Sequence, residues 1–207
     1  MRRAVMCGQR WYCVLMRMAA PRSEGRRKPS WLGLSALVVL GLSLSWPAAA
    51  ATSVEYQVKA AYLYKLVSFV DWPTGSLPPG APLDLCVVGD DPFGGSLDQV
   101  VENQQVNGRA LTVRRIATVS KSSGCKVLYI AGSKRQSIAS ALQAVKGSPS
   151  LTITEASEAA SGSVIQFVVK EGRVRFTIDV TAANQNGLTV SAKLLSLALS
   201  VRGSANP

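Results

Sequence analysis

LDLCVVGDDPFGGSLDQVV (residues 83–101) decides the fold, because it holds a short apolar run, a turn and the start of an amphipathic segment in direct succession. Leu83 to Val88 reads as a buried strand, bounded at once by the turn Gly89-Asp90-Asp91-Pro92. A helix is expected from that turn through Val101. Asp91 suits its N-cap, and Pro92 suits its first position, where a missing amide is no loss. A strand that feeds a helix is the repeating unit of α/β domains.

The rest of the chain continues the alternation. Ala110 to Ile116 alternates as a strand, and Cys125 to Ala131 reads as a more buried one. A helix is expected over roughly 134–145, with Ile138, Ala141, Leu142 and Val145 at helical spacing. Leu151 to Thr154 is a brief strand, and Glu155 to Ala160 a turn of helix. Ser163 to Lys170 and Arg173 to Val180 are two strands joined at Glu171-Gly172, a hairpin signal. Helical pieces follow over Thr181 to Gln185 and about 189–201, split at Asn186-Gly187. Upstream, Val54 to Val70 is a helix with a broad buried face, ended at Asp71-Trp72-Pro73 because proline bars the helical conformation before it. TGSLPPGAP (74–82) is a turn-rich connector. The sum is an α/β domain: a mixed, mostly parallel sheet flanked by helices on both faces, with a C-terminal hairpin at one edge and helices after it.

The chain has 207 residues and a formal net charge of +11. Most of that charge sits in the first 51 residues, which end in a leader. Residues 31–46, WLGLSALVVLGLSLSW, are apolar and uncharged, preceded by Arg26-Arg27-Lys28 and followed by Pro47 and Ala48 to Ala51. This is the pattern of a signal peptide with an extended n-region, cut after Ala50 or Ala51. An uncleaved anchor is the rival, but the run is short of the roughly 20 residues that a span needs. The expected organisation is a removed leader, 1–51, and one domain, 52–207, with no membrane span after cleavage. Nucleic acid is not expected as a partner, since the basicity leaves with the leader.

Chemistry has little to work with. There is no histidine, so the commonest metal ligand and general base is missing, and with no GxSxG, Walker A or HExxH pattern after the leader, no catalytic residue, metal or cofactor is expected. A carboxylate pair drawn from Asp71, Asp90, Asp91 and Glu155 is the remaining catalytic option, and no spacing singles one out. Gly89 to Gly95 occupies the place where open sheets hold phosphates, yet two adjacent carboxylates would repel one. Cys86 and Cys125 are the only cysteines outside the leader. In an oxidising compartment they should pair, and the alternative is two separate buried thiols. Residues 52–105 carry a net −5 and residues 106–207 a net +9, a split that favours an oriented partner or self-association, or else reflects differently solvated faces. Tyr56, Tyr62, Tyr64 and Trp72 gather around the first helix as core or as interface anchors.

Six segments resemble the YfiR family of periplasmic regulatory proteins: VKAAYLYKLVSFVDWP (58–73), LCVVGDDPFG (85–94), VNGRALTVRRI (106–116), CKVLYI (125–130), SGSVIQFVV (161–169) and VRFTIDVTAANQNGLTVSAKLLSLA (174–198). The resemblance implies a periplasmic α/β domain without enzymatic activity. The namesake holds down an inner-membrane diguanylate cyclase by binding its periplasmic sensory part, so repression of such a cyclase, in c-di-GMP signalling, is the function implied. A small-molecule binding component of a two-component or transport system is the alternative. Cys86 and Cys125 fall on the family's recurrent cysteine positions, which supports their disulfide a second time. The second bridge of some members is absent here. Ser161-Gly162-Ser163 stands where the family commonly has a double glycine, and Thr152-Ile153-Thr154-Glu155 where it commonly ends in Gly-Asp.

A regulator must present contacts, and one surface is expected to carry them. Arg175 alternates with Phe176, so it should point away from the side that Phe176 packs. With Asn184 and Lys193 on the following helical pieces, and Tyr64 and Trp72 at the end of the first helix, it is expected to line a contact surface for the partner or for a second copy in a homodimer.

Overall fold

The computed structural model describes residues 53–203; the expected leader lies outside the described residues. Five helices and ten strands follow in order: α1 Val54–Val67, β1 Val70–Asp71, β2 Leu83–Gly89, α2 Gly95–Val101, β3 Gln105–Val106, β4 Arg109–Ile116, β5 Val127–Gly132, α3 Ile138–Val145, β6 Leu151–Glu155, β7 Ile165–Lys170, β8 Arg173–Asp179, α4 Val180–Gln185, β9 Thr189–Val190, α5 Ala192–Leu197 and β10 Ser200–Arg202. Four helices begin on a side-chain cap: Ser53, Ser137, Asp179 and Ser191 each accept the amide three residues on.

The main sheet has the order β10-β8-β7-β6-β5-β2-β4-β3. Strands β4, β2, β5, β6 and β7 are parallel, β8 turns back antiparallel to β7, and β3 is antiparallel to β4. The expected α/β class and mostly parallel sheet are what the chain forms. The central strands β2 and β5 are buried on both faces, which is why they read as continuous apolar runs, whereas β4 and β8 alternate between exposed and covered positions. In β5, Val127 and Tyr129 face one core with Ala60 and Leu63 of α1, Leu97 of α2 and Ala183 of α4. Leu128 and Ile130 face a smaller core with Ala141, Leu142 and Val145 of α3. Cys86 and Cys125 belong to that smaller core and are bonded, with Cα atoms 5.9 Å apart. Two separate thiols are thereby excluded.

Six expectations about the elements are corrected. The second helix starts at Gly95, not at Pro92, because Gly94 adopts φ 51° and ψ −142°, a conformation that breaks the chain direction just before the helix. Asp91 caps nothing helical; its carboxylate accepts the Phe93 amide at 2.8 Å, closing a tight Asx turn. The third helix starts at Ile138, since Ser133 to Gln136 close a turn of their own, with the Ser133 amide on the Gln136 carbonyl at 2.9 Å. Residues 189–201 are not one helix. Thr189 and Val190 pair with Asp71 and Val70 in a two-stranded ribbon, Ser191 then caps α5, and β10 follows. The first helix correspondingly stops at Val67. The hairpin is not the sheet edge either, because β10 pairs parallel to β8 and covers it.

Candidate functional site

The charge split seen in the sequence is partly consumed inside the molecule. Arg115 of β4 donates to Asp91 at 2.6 Å, to both carboxylate oxygens of Asp98 and to the Gly94 carbonyl, so that it pins the turn after β2. Hydrogen bonds to Asp98 and Asp91 raise the Arg115 pKa, and the same contact lowers that of Asp98. Arg114 pairs with Asp84 at 2.9 Å. The acidic first half and basic second half therefore meet first as neighbouring parallel strands.

On the α1 side of the sheet lies a feature that the helical pattern of Val54 to Val70 does not announce. Lys59 is 1% exposed. Its ammonium donates to Glu155 Oε1 and Oε2 at 2.8 and 2.7 Å and to Glu55 one turn earlier on α1. Tyr129 of β5 donates its hydroxyl to Glu155 Oε1 at 2.7 Å. The Lys59 ammonium also lies 4.7 Å from the centre of the Tyr56 ring, which meets Phe93 edge-on at 5.5 Å. Phe93 in turn meets Tyr129 at 4.6 Å. The cluster ties α1, the turn after β2 and the carboxyl end of β6 into one unit.

Its electrostatics argue for a strut and against a catalyst. Burial alone would lower the Lys59 pKa, but the hydrogen bonds it donates to Glu155 and Glu55 outweigh it and the net direction is up. Burial, reinforced by Glu155, raises Tyr129, and raises Tyr56 in the same way. A lysine that serves as base or nucleophile needs the opposite shift. Glu155, once a candidate for a carboxylate pair, is engaged by Lys59 and Tyr129. Among the described residues no group of three or more His, Cys, Asp or Glu side chains is placed to hold a metal ion.

The residues expected to line a contact surface divide between two places. Tyr64, in the last turn of α1, and Trp72 are half-buried against the main core, and the Trp72 indole N–H is buried without a hydrogen-bond partner. Lys193 is exposed, with its ammonium 5.6 Å from the Phe69 ring centre, beside the β1–β9 ribbon. Asn184 is exposed on α4, whose exit at Gly187 passes close to Pro73. Trp72 and Lys193 thus adjoin the strands of the ribbon in the chain, and Tyr64 belongs to the core side of α1. Arg175 stands apart. It is exposed on β8 and borders a groove of about 510 Å³ between the start of α1 and the β7–β8 hairpin. That groove combines exposed Val54, Val58 and Val169 with Arg173 and Arg175. Beyond it, Arg173 and Arg175 border a second hollow that reaches Leu199 before β10. No sequence signal marked the groove, because its walls are 115 residues apart in the chain.

The molecule is thus an α/β domain in which a polar cluster braces the first helix and an apolar groove is rimmed by arginines. The match is to a particular family: residues 56–199 fit the YfiR/HmsC-like family model, and the chain belongs to that family. It is a family of periplasmic regulators of c-di-GMP signalling, regulatory rather than catalytic in kind. No curated protein matches the chain. Among solved structures, a conserved domain protein from Vibrio cholerae O1 biovar El Tor strain N16961 is similar at 15% identity with a TM-score of 0.44. The alignment covers 69% of this chain and 60% of that one, and nothing about function follows from it. No helix among the described residues is long and apolar enough to cross a membrane.

Proposed function

We propose that the protein, freed of residues 1–51 on export to the periplasm, represses an inner-membrane diguanylate cyclase by binding its periplasmic sensory part. Family membership supports the signalling system. The observation that carries the repressor reading is the groove between α1 and the hairpin, where three exposed valines sit beside two arginines with no acidic partner among the described residues, and where the one carboxylate of the lining, Glu55, accepts from Lys59. Apolar contact with an arginine at the rim is the chemistry of a protein interface. The excess of base at the hairpin selects an acidic, amphipathic segment as occupant, and Lys193 and Trp72 at the ribbon extend the contact.

The test is capture of the cyclase from solubilised inner membrane, together with c-di-GMP measured in the same cells. Loss of the gene should raise c-di-GMP, and the captured protein should carry a cyclase domain. Arg175→Glu should weaken capture about tenfold or more and raise c-di-GMP while leaving stability within about 0.5 kcal/mol, because the side chain is exposed. Lys193→Glu should act in the same direction. Unchanged capture by both folded variants would remove this surface, and unchanged c-di-GMP on gene loss would remove the function.

A further inference from the structure

The strand order reverses between β2 and β5. From β2 the chain passes through α2 on one face of the sheet toward β4, whereas from β5 it passes through α3 on the other face toward β6. Connections that leave in opposite directions open a crevice at the carboxyl ends of the two strands, which is where open α/β sheets hold ligands. Here the crevice measures about 420 Å³ and is lined by Gly89, Asp90, Ala117, Ser133, Lys134 and Arg135.

The crevice is built rather than incidental. Gly89 of the lining closely approaches Gly132 behind it, and both are left-handed, with φ 89° at Gly89 and 78° at Gly132. A Cβ on Gly89 would stand 2.3 Å from the Gly132 carbonyl oxygen, and that oxygen accepts the Asp90 amide at 3.0 Å. One wall is clamped by Gln136, whose side chain accepts the Val119 amide at 2.7 Å and donates to the Val119 carbonyl at 3.0 Å. The same turn is stiffened by Ser133, whose hydroxyl oxygen accepts the amides of Arg135 and Gln136. Lys134, Arg135 and Asp90 are exposed, and none has an ion-pair partner among the described residues.

The objection that two carboxylates in this turn would repel an anion fails in three dimensions. Arg115 and the Phe93 amide take up Asp91, so the crevice retains one acid against two bases. We propose that this crevice binds a small hydroxylated organic anion, with Lys134 and Arg135 meeting its phosphate or carboxylate and Asp90 accepting from its hydroxyl. The proposal is independent of the cyclase reading, since no part of it uses the membrane partner.

The full chain, expressed with its own leader and purified from the periplasm, is titrated at about 0.15 M salt, where long-range attraction between exposed charges is screened. The probes are inorganic phosphate, glycerol 3-phosphate and lactate, read by backbone amide shifts. Saturable shifts at Gly89, Asp90, Lys134 and Arg135 with at least one organic probe are expected. Saturation by glycerol 3-phosphate alone assigns a phosphate group, and by lactate alone a carboxylate. Lys134→Ala with Arg135→Ala should weaken binding at least tenfold with an unchanged melting temperature. Asp90→Asn should weaken the organic probe and leave inorganic phosphate unaffected or tighter. Absence of saturation with every probe, or saturation that survives the double substitution, overturns the site; an organic probe indifferent to Asp90→Asn overturns the role of Asp90.

Discussion

Replacing Lys59 by Met tests whether the buried ammonium holds α1 to the sheet. Methionine keeps an unbranched apolar stem of similar length, so packing around a side chain that is 1% exposed is largely preserved and the change isolates the charge. Removed are the hydrogen bonds to Glu55 and to both oxygens of Glu155, and the contact with the Tyr56 ring. Charge-assisted bonds contribute about 1.5–3 kcal/mol each, so the gross loss is about 6 kcal/mol. Against this stands the recovered desolvation of the ammonium, several kcal/mol. The two carboxylates left behind are 42% and 34% exposed and can rehydrate, which keeps the net loss below the 3–5 kcal/mol typical of an orphaned buried charge. The expected net cost is about 2 kcal/mol. Urea unfolding of the protein should show a lower midpoint at unchanged slope. A double-mutant cycle with Glu155→Gln should return a coupling above about 1 kcal/mol. A Lys59→Met protein within about 0.5 kcal/mol of the parent, or more stable than it, would refute the reasoning and make the ion pair energetically idle.

Further outcomes follow from the bonded cysteines and from the titration of the same cluster. Cys86 and Cys125 are separated by 39 positions, and in the chain-entropy model a loop of that length stabilises by about 4 kcal/mol. The double Cys→Ser variant should lose much of this in urea unfolding; an unchanged midpoint would show that the bond does not constrain the unfolded chain. Lys59 and Tyr129 both have pKa values raised by folding, so their contribution is complete below the unfolded values of about 10 and is lost as pH rises through the folded ones. Unfolding free energy attributable to the cluster, measured as the difference between parent and Lys59→Met, should be level from pH 7 to 9 and shrink above about pH 10. A difference that grows above pH 10 would contradict the assigned direction.

The alternation of apolar runs with helical spacing determined the α/β class and the near-parallel sheet, because strands buried on both faces must be apolar throughout. Cys86 and Cys125 offered the sequence two outcomes, a bond or two buried thiols, and the approach of their Cα atoms to 5.9 Å in the fold decides for the bond. Local rules failed where a side chain was claimed from afar. Asp91 looks like a helix cap until Arg115, 24 positions on, takes its carboxylate. Thr189-Val190 looks helical until Val70-Asp71 pairs with it. Lys59 is a polar interruption of a largely apolar helix in the sequence, and only the arrival of Glu155 from β6, 96 positions away, makes its burial affordable. Glycine 89 is a turn residue in the sequence and a necessity in the fold, because the carbonyl of Gly132 occupies the space of its Cβ. Spacing along the chain encodes which face of an element is apolar. Which polar group meets which across the sheet depends on strand order and register, and those are decided by the assembled structure.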